Sequence, residues 1–149
     1  MKQVVTVKRR ALEASEERAE SLRREFAGSG TLVVNLISSP GSGKTTLLEA
    51  TVRRLKHDLR CAVIEGDVAT ERDADRIRAL GVAAHQILTG GACPLDARQV
   101  EIDLAETRLL PADILFIENV GNLICPTTYD LGEDFKVAVL STTEGDDKT

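Results

Sequence analysis

With 149 residues, 42% of them hydrophobic and 29% charged, the chain carries enough material for one domain with a real core. A net charge of −5 argues against nucleic acid or an acidic membrane as the main partner; such a balance serves solubility. No apolar run reaches transmembrane length and the start lacks a signal-peptide core, so a cytoplasmic protein without a membrane partner is expected. The odd count of three cysteines (Cys61, Cys93 and Cys125) argues against a disulfide framework.

Met1 to Val7 is compatible with an extended piece. From Lys8 to Ala27 the chain is rich in Arg, Glu and Ala, with Leu12, Ala19, Leu22 and Phe26 at helical spacing, and Gly28-Ser29-Gly30 ends that pattern. The thin stripe is too short for a coiled coil and is expected to dock on a sheet. Residues 1–30 are therefore read as an N-terminal amphipathic helix and residues 31–149 as the main domain.

Leu32 to Ile37 is a short, branched, apolar run of the kind that forms a buried parallel strand. It breaks at Ser38-Ser39-Pro40-Gly41-Ser42-Gly43, and Lys44-Thr45-Thr46-Leu47-Leu48 opens a helix expected to reach Leu59. Strand, small-residue loop and helix N-terminus make a phosphate cradle. Successive backbone N–H groups of the stretch Ser39 to Thr46, all but that of Pro40, point at the anion, Lys44 adds a full charge, and the Thr45 hydroxyl is suited to Mg²⁺. Ser38 stands where the usual P-loop pattern has its first Gly; Gly41 and Gly43 still allow close backbone approach.

Further along, Cys61 to Ile64 reads as a second strand with Cys61 in the core, Glu71 to Leu80 as a helix, and Val82 to Leu88 as a third strand. Asp96 to Thr107 reads as helix, Asp113 to Glu118 as a fourth strand and Phe135 to Leu140 as a fifth. Strands alternating with helices predict an α/β three-layer sandwich with a mostly parallel sheet, P-loop NTPase topology and ligand at the strand C-ends.

Two acids come directly after buried runs, Asp67 and Glu118. A P-loop enzyme needs a carboxylate near Mg²⁺ and a group that places the attacking water, and strand-end acids suit that need better than the alternative, a mere cap on the following turn or helix. Gly121, three residues beyond Glu118, would offer a free N–H to a γ-phosphate and a hinge once it leaves. Asp73 and Asp75 read as solvated helix face, His57 and His85 as solvated or satisfied histidines. Cys93 and Cys125 lie in loops, each before a proline. They are either thiolate ligands for Zn²⁺ or Ni²⁺, two halves from two chains making one site, or inert small hydrophobes; spacing alone does not choose.

These motifs together resemble the HypB family of nickel-handling GTPases in [NiFe]-hydrogenase maturation. The stretches that carry the resemblance are Asn35 to Glu49, Glu65-Gly66-Asp67 with Thr70, Asp73 and Arg76, Thr89 to Ala97, Ile117-Glu118-Asn119-Val120-Gly121-Asn122-Leu123-Ile124-Cys125-Pro126, and Tyr129 to Glu133 through Ser141 to Lys148; the run from Glu118 to Pro126 and the acidic segment Thr143 to Lys148 are far more specific than the phosphate loop. The resemblance covers Leu32 onward. It implies a Mg²⁺-dependent, weakly active GTPase whose GTP or GDP state governs homodimerisation and nickel transfer. Implied partners are a HypA-type metallochaperone and the hydrogenase large-subunit precursor. By position, Lys44 would grip phosphates, Thr45, Asp67 and Glu118 would surround Mg²⁺, and Cys93 with Cys125 would bind Ni²⁺ or Zn²⁺ across the dimer.

The sequence departs from the family at three places. Pro94 replaces the His that usually comes after the first loop Cys, the N-terminus lacks a Cys- or His-rich extension, and the guanine-reading Asn-Lys-x-Asp motif would fall beyond Thr149. The last strands and helices of the sheet are accordingly expected to be missing, leaving a bare edge. Alternative readings are a urease-type nickel GTPase, of which only Cys93-Pro94 of the Cys-Pro-His loop is present, another P-loop NTPase such as a kinase, or a nucleotide-binding scaffold without turnover.

Overall fold

The computed structural model describes residues 2–39, 41–66, 72–88, 94–120 and 129–142. In chain order the elements are α1 (Lys2–Ser29), β1 (Leu32–Ser38), α2 (Lys44–Leu55), β2 (Cys61–Glu65), α3 (Arg72–Arg78), β3 (Ala83–Gln86), α4 (Ala97–Glu106), β4 (Ile114–Glu118) and β5 (Phe135–Val139). All strand pairs are parallel and the order is β3-β2-β4-β1-β5. The chain is thus an α/β three-layer sandwich with β1, the strand that feeds the phosphate loop, between β4 and β5.

The two helical layers arise from the period-2 alternation of the strands. Val33, Ala62, Ile64, Leu115 and Ile117 face Leu22 and Phe26 of α1 and Val100 and Leu104 of α4. Val34, Leu36, Val63, Ala84 and Phe116 face Leu48 and Val52 of α2 and Ala74 and Ile77 of α3. Burying Phe26 and Leu22, 2% and 1% exposed, stabilises the docked helix by about 2 kcal/mol each. At the start of α4, Asp96 accepts from the Gln99 amide while the Gln99 side chain accepts from the Asp96 amide, a reciprocal capping box.

Three expectations change. Residues 2–7 are not extended: α1 begins at Lys2 and runs unbroken for 28 residues, because extending a nucleated helix fixes one residue per new hydrogen bond. Leu12 does not join the core and is 62% exposed. The helix is about 42 Å long, about two to two and a half times the reach of a five- to seven-residue strand, so only its C-terminal half finds a sheet beneath it. Cys61 is half-buried at the start of β2, its Sγ 3.7 Å from the Leu59 carbonyl. The helix and strand ends otherwise move inward by a few residues, and the β5 residues Phe135 to Ala138 are exposed among the described residues.

The segment ahead of β5 is tied back to α1. Arg23 Nη2 donates to both Asp130 carboxylate oxygens at 2.8 Å, and the Gly132 amide donates to Asp130 Oδ1 at 2.8 Å. Burial opposes ionisation of Asp130, yet the Arg23 and Gly132 hydrogen bonds outweigh it and hold the carboxyl below its ordinary pKa. A depressed carboxyl stabilises the fold above the unfolded value of about 4 and loses that contribution as pH falls through the folded value. Asp130→Asn should therefore melt below the wild type at pH 6, and the gap should close as the pH is lowered through about 4 toward 2. A gap that stays constant in thermal melts across that range would exclude this tether as an ionic one.

Candidate phosphate and cation site

The turn after β1 gains its shape from Gly41 and Gly43, at φ 69° and 85°, in the left-handed region where a Cβ is strained. Gly43 stands at the N-cap of α2 and supplies no side-chain cap. The first-turn amides of α2 therefore have no helical acceptor and face outward with the positive end of the helix dipole. Ser39 and Ser42 flank the turn, and their hydroxyls are buried with no hydrogen-bond partner among the described residues. Thr46 sits exposed at the mouth.

Lys44, Thr45 and Glu118 converge beneath this loop. Lys44 Nζ lies 3.9 Å from Glu118 Oε1, with the side chains 4% and 0% exposed. Thr45 Oγ1 donates to the same Glu118 oxygen at 2.5 Å, and the Glu65 carboxyl adjoins that of Glu118. A hydroxyl and a dry carboxylate are the hard oxygen donors that Mg²⁺ takes when it shares a site with phosphate. The donor set fits the cation.

Glu65 opens the Glu65-Gly66-Asp67 stretch, with no role at the site expected from sequence. It pairs in register with Glu118 on β4, as Gln86 on β3 pairs with Glu65, so three polar residues cross the sheet in one row at its C-terminal end. Glu65 is fully buried. Burial first, then the adjoining Glu118 carboxyl and the charge of Asp73, push its pKa up to about 11, against the pull of Lys44, so it carries its proton at neutral pH. Its period-2 relation to Val63 on a buried face was the available signal. Asp73, expected as solvated face, is only 17% exposed and pairs with Arg76, whose Nε reaches Glu49 Oε1 of α2 at 2.6 Å. The reason is that the first turn of α3 packs against α2 rather than facing water. Asp75 is solvated as expected, 67% exposed.

Among the other expected residues, His57 is exposed and the His85 Nδ1 lies against Asp103 Oδ1 of α4. Pro40, Asp67, Cys93, Gly121 and Cys125 lie outside the described residues. The cation fit therefore rests on Thr45 and Glu118, and the phosphate fit on Ser39, Gly41, Ser42, Gly43, Lys44, Thr45 and Thr46.

Comparison with known proteins places this geometry. The family model described as "CobW/HypB/UreG, nucleotide-binding domain" matches residues 31–145. The hydrogenase maturation factor HypB of Escherichia coli K12 is 56% identical over 137 residues, covering 92% of this chain and 47% of that protein. The hydrogenase/urease maturation factor HypB of Helicobacter hepaticus is 46% identical over 151 residues, 99% of this chain and 62% of that one. The chain thus spans about half to two thirds of the length of these relatives. The crystal structure of HypB from Archaeoglobus fulgidus superposes with a TM-score of 0.82 at 41% identity, over 91% of this chain and 66% of that one. That of Helicobacter pylori HypB in complex with nickel gives 0.80 at 47% identity, over 91% and 64%. A parallel sheet with a glycine-rich turn between β1 and α2, and a family match over more than two thirds of the residues, lead to one conclusion: the chain belongs to the CobW/HypB/UreG family of nucleotide-binding domains.

Proposed function

We propose that this chain binds and hydrolyses GTP with Mg²⁺ and uses the nucleotide cycle to deliver nickel during [NiFe]-hydrogenase maturation. The observation that carries the reading is the convergence of Lys44 and Thr45 on the buried Glu118 carboxylate beside the Gly41–Gly43 turn. Its support beyond geometry is the family and the nickel-complexed relative from Helicobacter pylori.

In this reading the α2 amides and Lys44 hold the β- and γ-phosphates, and Thr45 and Glu118, with Asp67, hold Mg²⁺. Once bound, Mg²⁺ would supply neutralisation of the phosphate charge. Water attacks in line, and Lys44 and the loop amides offset the negative charge that develops. Gly121, just past Glu118, is the position proposed to sense the γ-phosphate. The nickel cargo would be held by Cys93 and Cys125 from two chains of a nucleotide-dependent homodimer, a site that Zn²⁺ could also occupy. It would arrive from a HypA-type metallochaperone and pass to the hydrogenase large-subunit precursor in the cytoplasm. Urease is the alternative acceptor, since the Helicobacter hepaticus relative is named for both enzymes.

Phosphate release from GTP and ATP, with and without Mg²⁺, tests the reading together with a Ni²⁺ titration of the wild type, Cys93→Ala and Cys125→Ala. Mg²⁺-dependent GTP turnover and nickel binding lost in either cysteine variant are expected. Glu118→Gln should lower turnover about 100-fold, because a neutral amide no longer balances the cation. Unchanged turnover in Glu118→Gln would remove that carboxylate from the site, and tight nucleotide binding with no hydrolysis would favour a scaffold.

A further inference from the structure

Asn119 comes directly after Glu118 and is fully buried. Its backbone N–H donates to the Leu36 carbonyl of β1 at 3.0 Å. Its side-chain oxygen accepts from the Leu95 amide at 3.1 Å and from the Val120 amide at 2.9 Å. Its Nδ2 donates to Asn35 Oδ1 at 3.4 Å, and Asn35, also fully buried, donates onward to Glu133 Oε1 at 3.3 Å. Glu133 Oε2 in turn accepts from the Leu131 amide at 2.7 Å. One amide thus bonds the strand that feeds the phosphate loop, the exit of β4 and the entry to α4, and reaches the Leu131–Glu133 segment through Asn35.

Two further observations make this junction a mechanical link. Leu95 is fully buried over Gly66, so closely that a Cβ on Gly66 would lie 2.5 Å from Leu95 Cδ1. The Gly66 amide donates to the Glu118 carbonyl at 2.8 Å. Leu95 is therefore gripped from both strand ends that bear the acids of the site, through its backbone by Asn119 and through its side chain by Gly66. A buried hydrogen-bonded network is costly to leave half-satisfied, so its members move together or not at all.

We propose that Asn119 is a positioning residue that relays the state of the Glu118 phosphate and cation site to Leu95, at the entrance of α4. The relay rests on the reading that nucleotide binds under the Gly41–Gly43 turn, but it concerns the protein's own backbone and needs no bound metal cargo. Any shift of the β4 exit on nucleotide binding loads the Asn119 amide, which carries it to the Leu95 N–H. The segment just beyond Cys93 would then move with the nucleotide.

Amide hydrogen exchange read at Leu95, in the protein alone, with Mg²⁺-GDP and with Mg²⁺ plus a GTP analogue, tests this directly. Nucleotide affinity is measured in parallel on the wild type and Asn119→Ala. In the wild type the Leu95 amide should exchange about fivefold slower or faster with nucleotide than without, the scale of one neutral hydrogen bond. In Asn119→Ala that response should vanish while nucleotide affinity stays within about threefold, and Asn119→Asp, which keeps the acceptor, should restore it. A wild-type Leu95 amide indifferent to bound nucleotide would overturn the relay without any variant having to fold. A response retained in Asn119→Ala would overturn it as well. Failure of the wild type to bind nucleotide at all would instead bring down the functional reading, and the relay with it.

Discussion

Lys44→Ala should abolish nucleotide turnover, by about 10²–10³-fold or more, and should also lower the melting temperature of the nucleotide-free protein. The two losses have different causes. Turnover falls because the ammonium no longer meets the phosphates. Stability falls because Lys44 and Glu118 are 4% and 0% exposed and 3.9 Å apart, so removing the cation strands a buried carboxylate. Breaking a buried pair on one side costs about 3–5 kcal/mol, and the neighbouring Thr45 hydroxyl offsets only part of that here. A second change separates the effects: Lys44→Ala with Glu118→Gln should regain much of the melting temperature and none of the turnover. Thermal melts and phosphate-release assays on the wild type, both single variants and the double variant form the cycle. A double variant no more stable than Lys44→Ala would show that the pair is not coupled.

Gly66→Ala carries the second large effect. The added Cβ would sit 2.5 Å from Leu95 Cδ1 and 2.6 Å from Leu95 Cγ, separations that real Cβ atoms do not adopt. Leu95 has nowhere to retreat, since it is fully buried among Ile64, Ile117 and Val100 and its amide is bonded to Asn119. Overpacking of this kind costs about 1–3 kcal/mol, a few degrees or more in melting temperature for a chain of this size. Leu95→Ala alone should also destabilise, by cavity formation, about 2–5 kcal/mol. The two together should cost less than their sum, because each relieves the other. Strict additivity in chemical denaturation would mean that the contact yields freely.

The relation between these sites and the sequence is uneven. The Ser-Ser-Pro-Gly-Ser-Gly-Lys-Thr run announced the phosphate cradle, since left-handed turns at Gly41 and Gly43 and a Lys at a helix start are local properties of the chain. Alternation of strands and helices likewise announced the parallel sheet and its helical layers, as the period of the apolar residues is itself the instruction. Residues 2–7 escaped because a Val- and Thr-rich stretch extends or joins a helix according to its cooperativity with the helix-forming residues from Lys8 onward. Leu12 escaped because a stripe shows which face is apolar and not how far the opposing sheet reaches.

By itself, then, the sequence determined the phosphate loop, the order of the elements, the acid that ends β4 and membership of a nucleotide-binding family. Only tertiary structure decided that Glu65 stands beside Glu118, that Asp73 turns inward, and that Asn119 joins β1, β4 and the entry to α4. Parallel strands pair residues about 50 positions apart, and the register that sets two acids side by side depends on how the buried faces of the whole sheet fit their helices. Local sequence specifies a residue's own conformation; its neighbours across the sheet are chosen by packing.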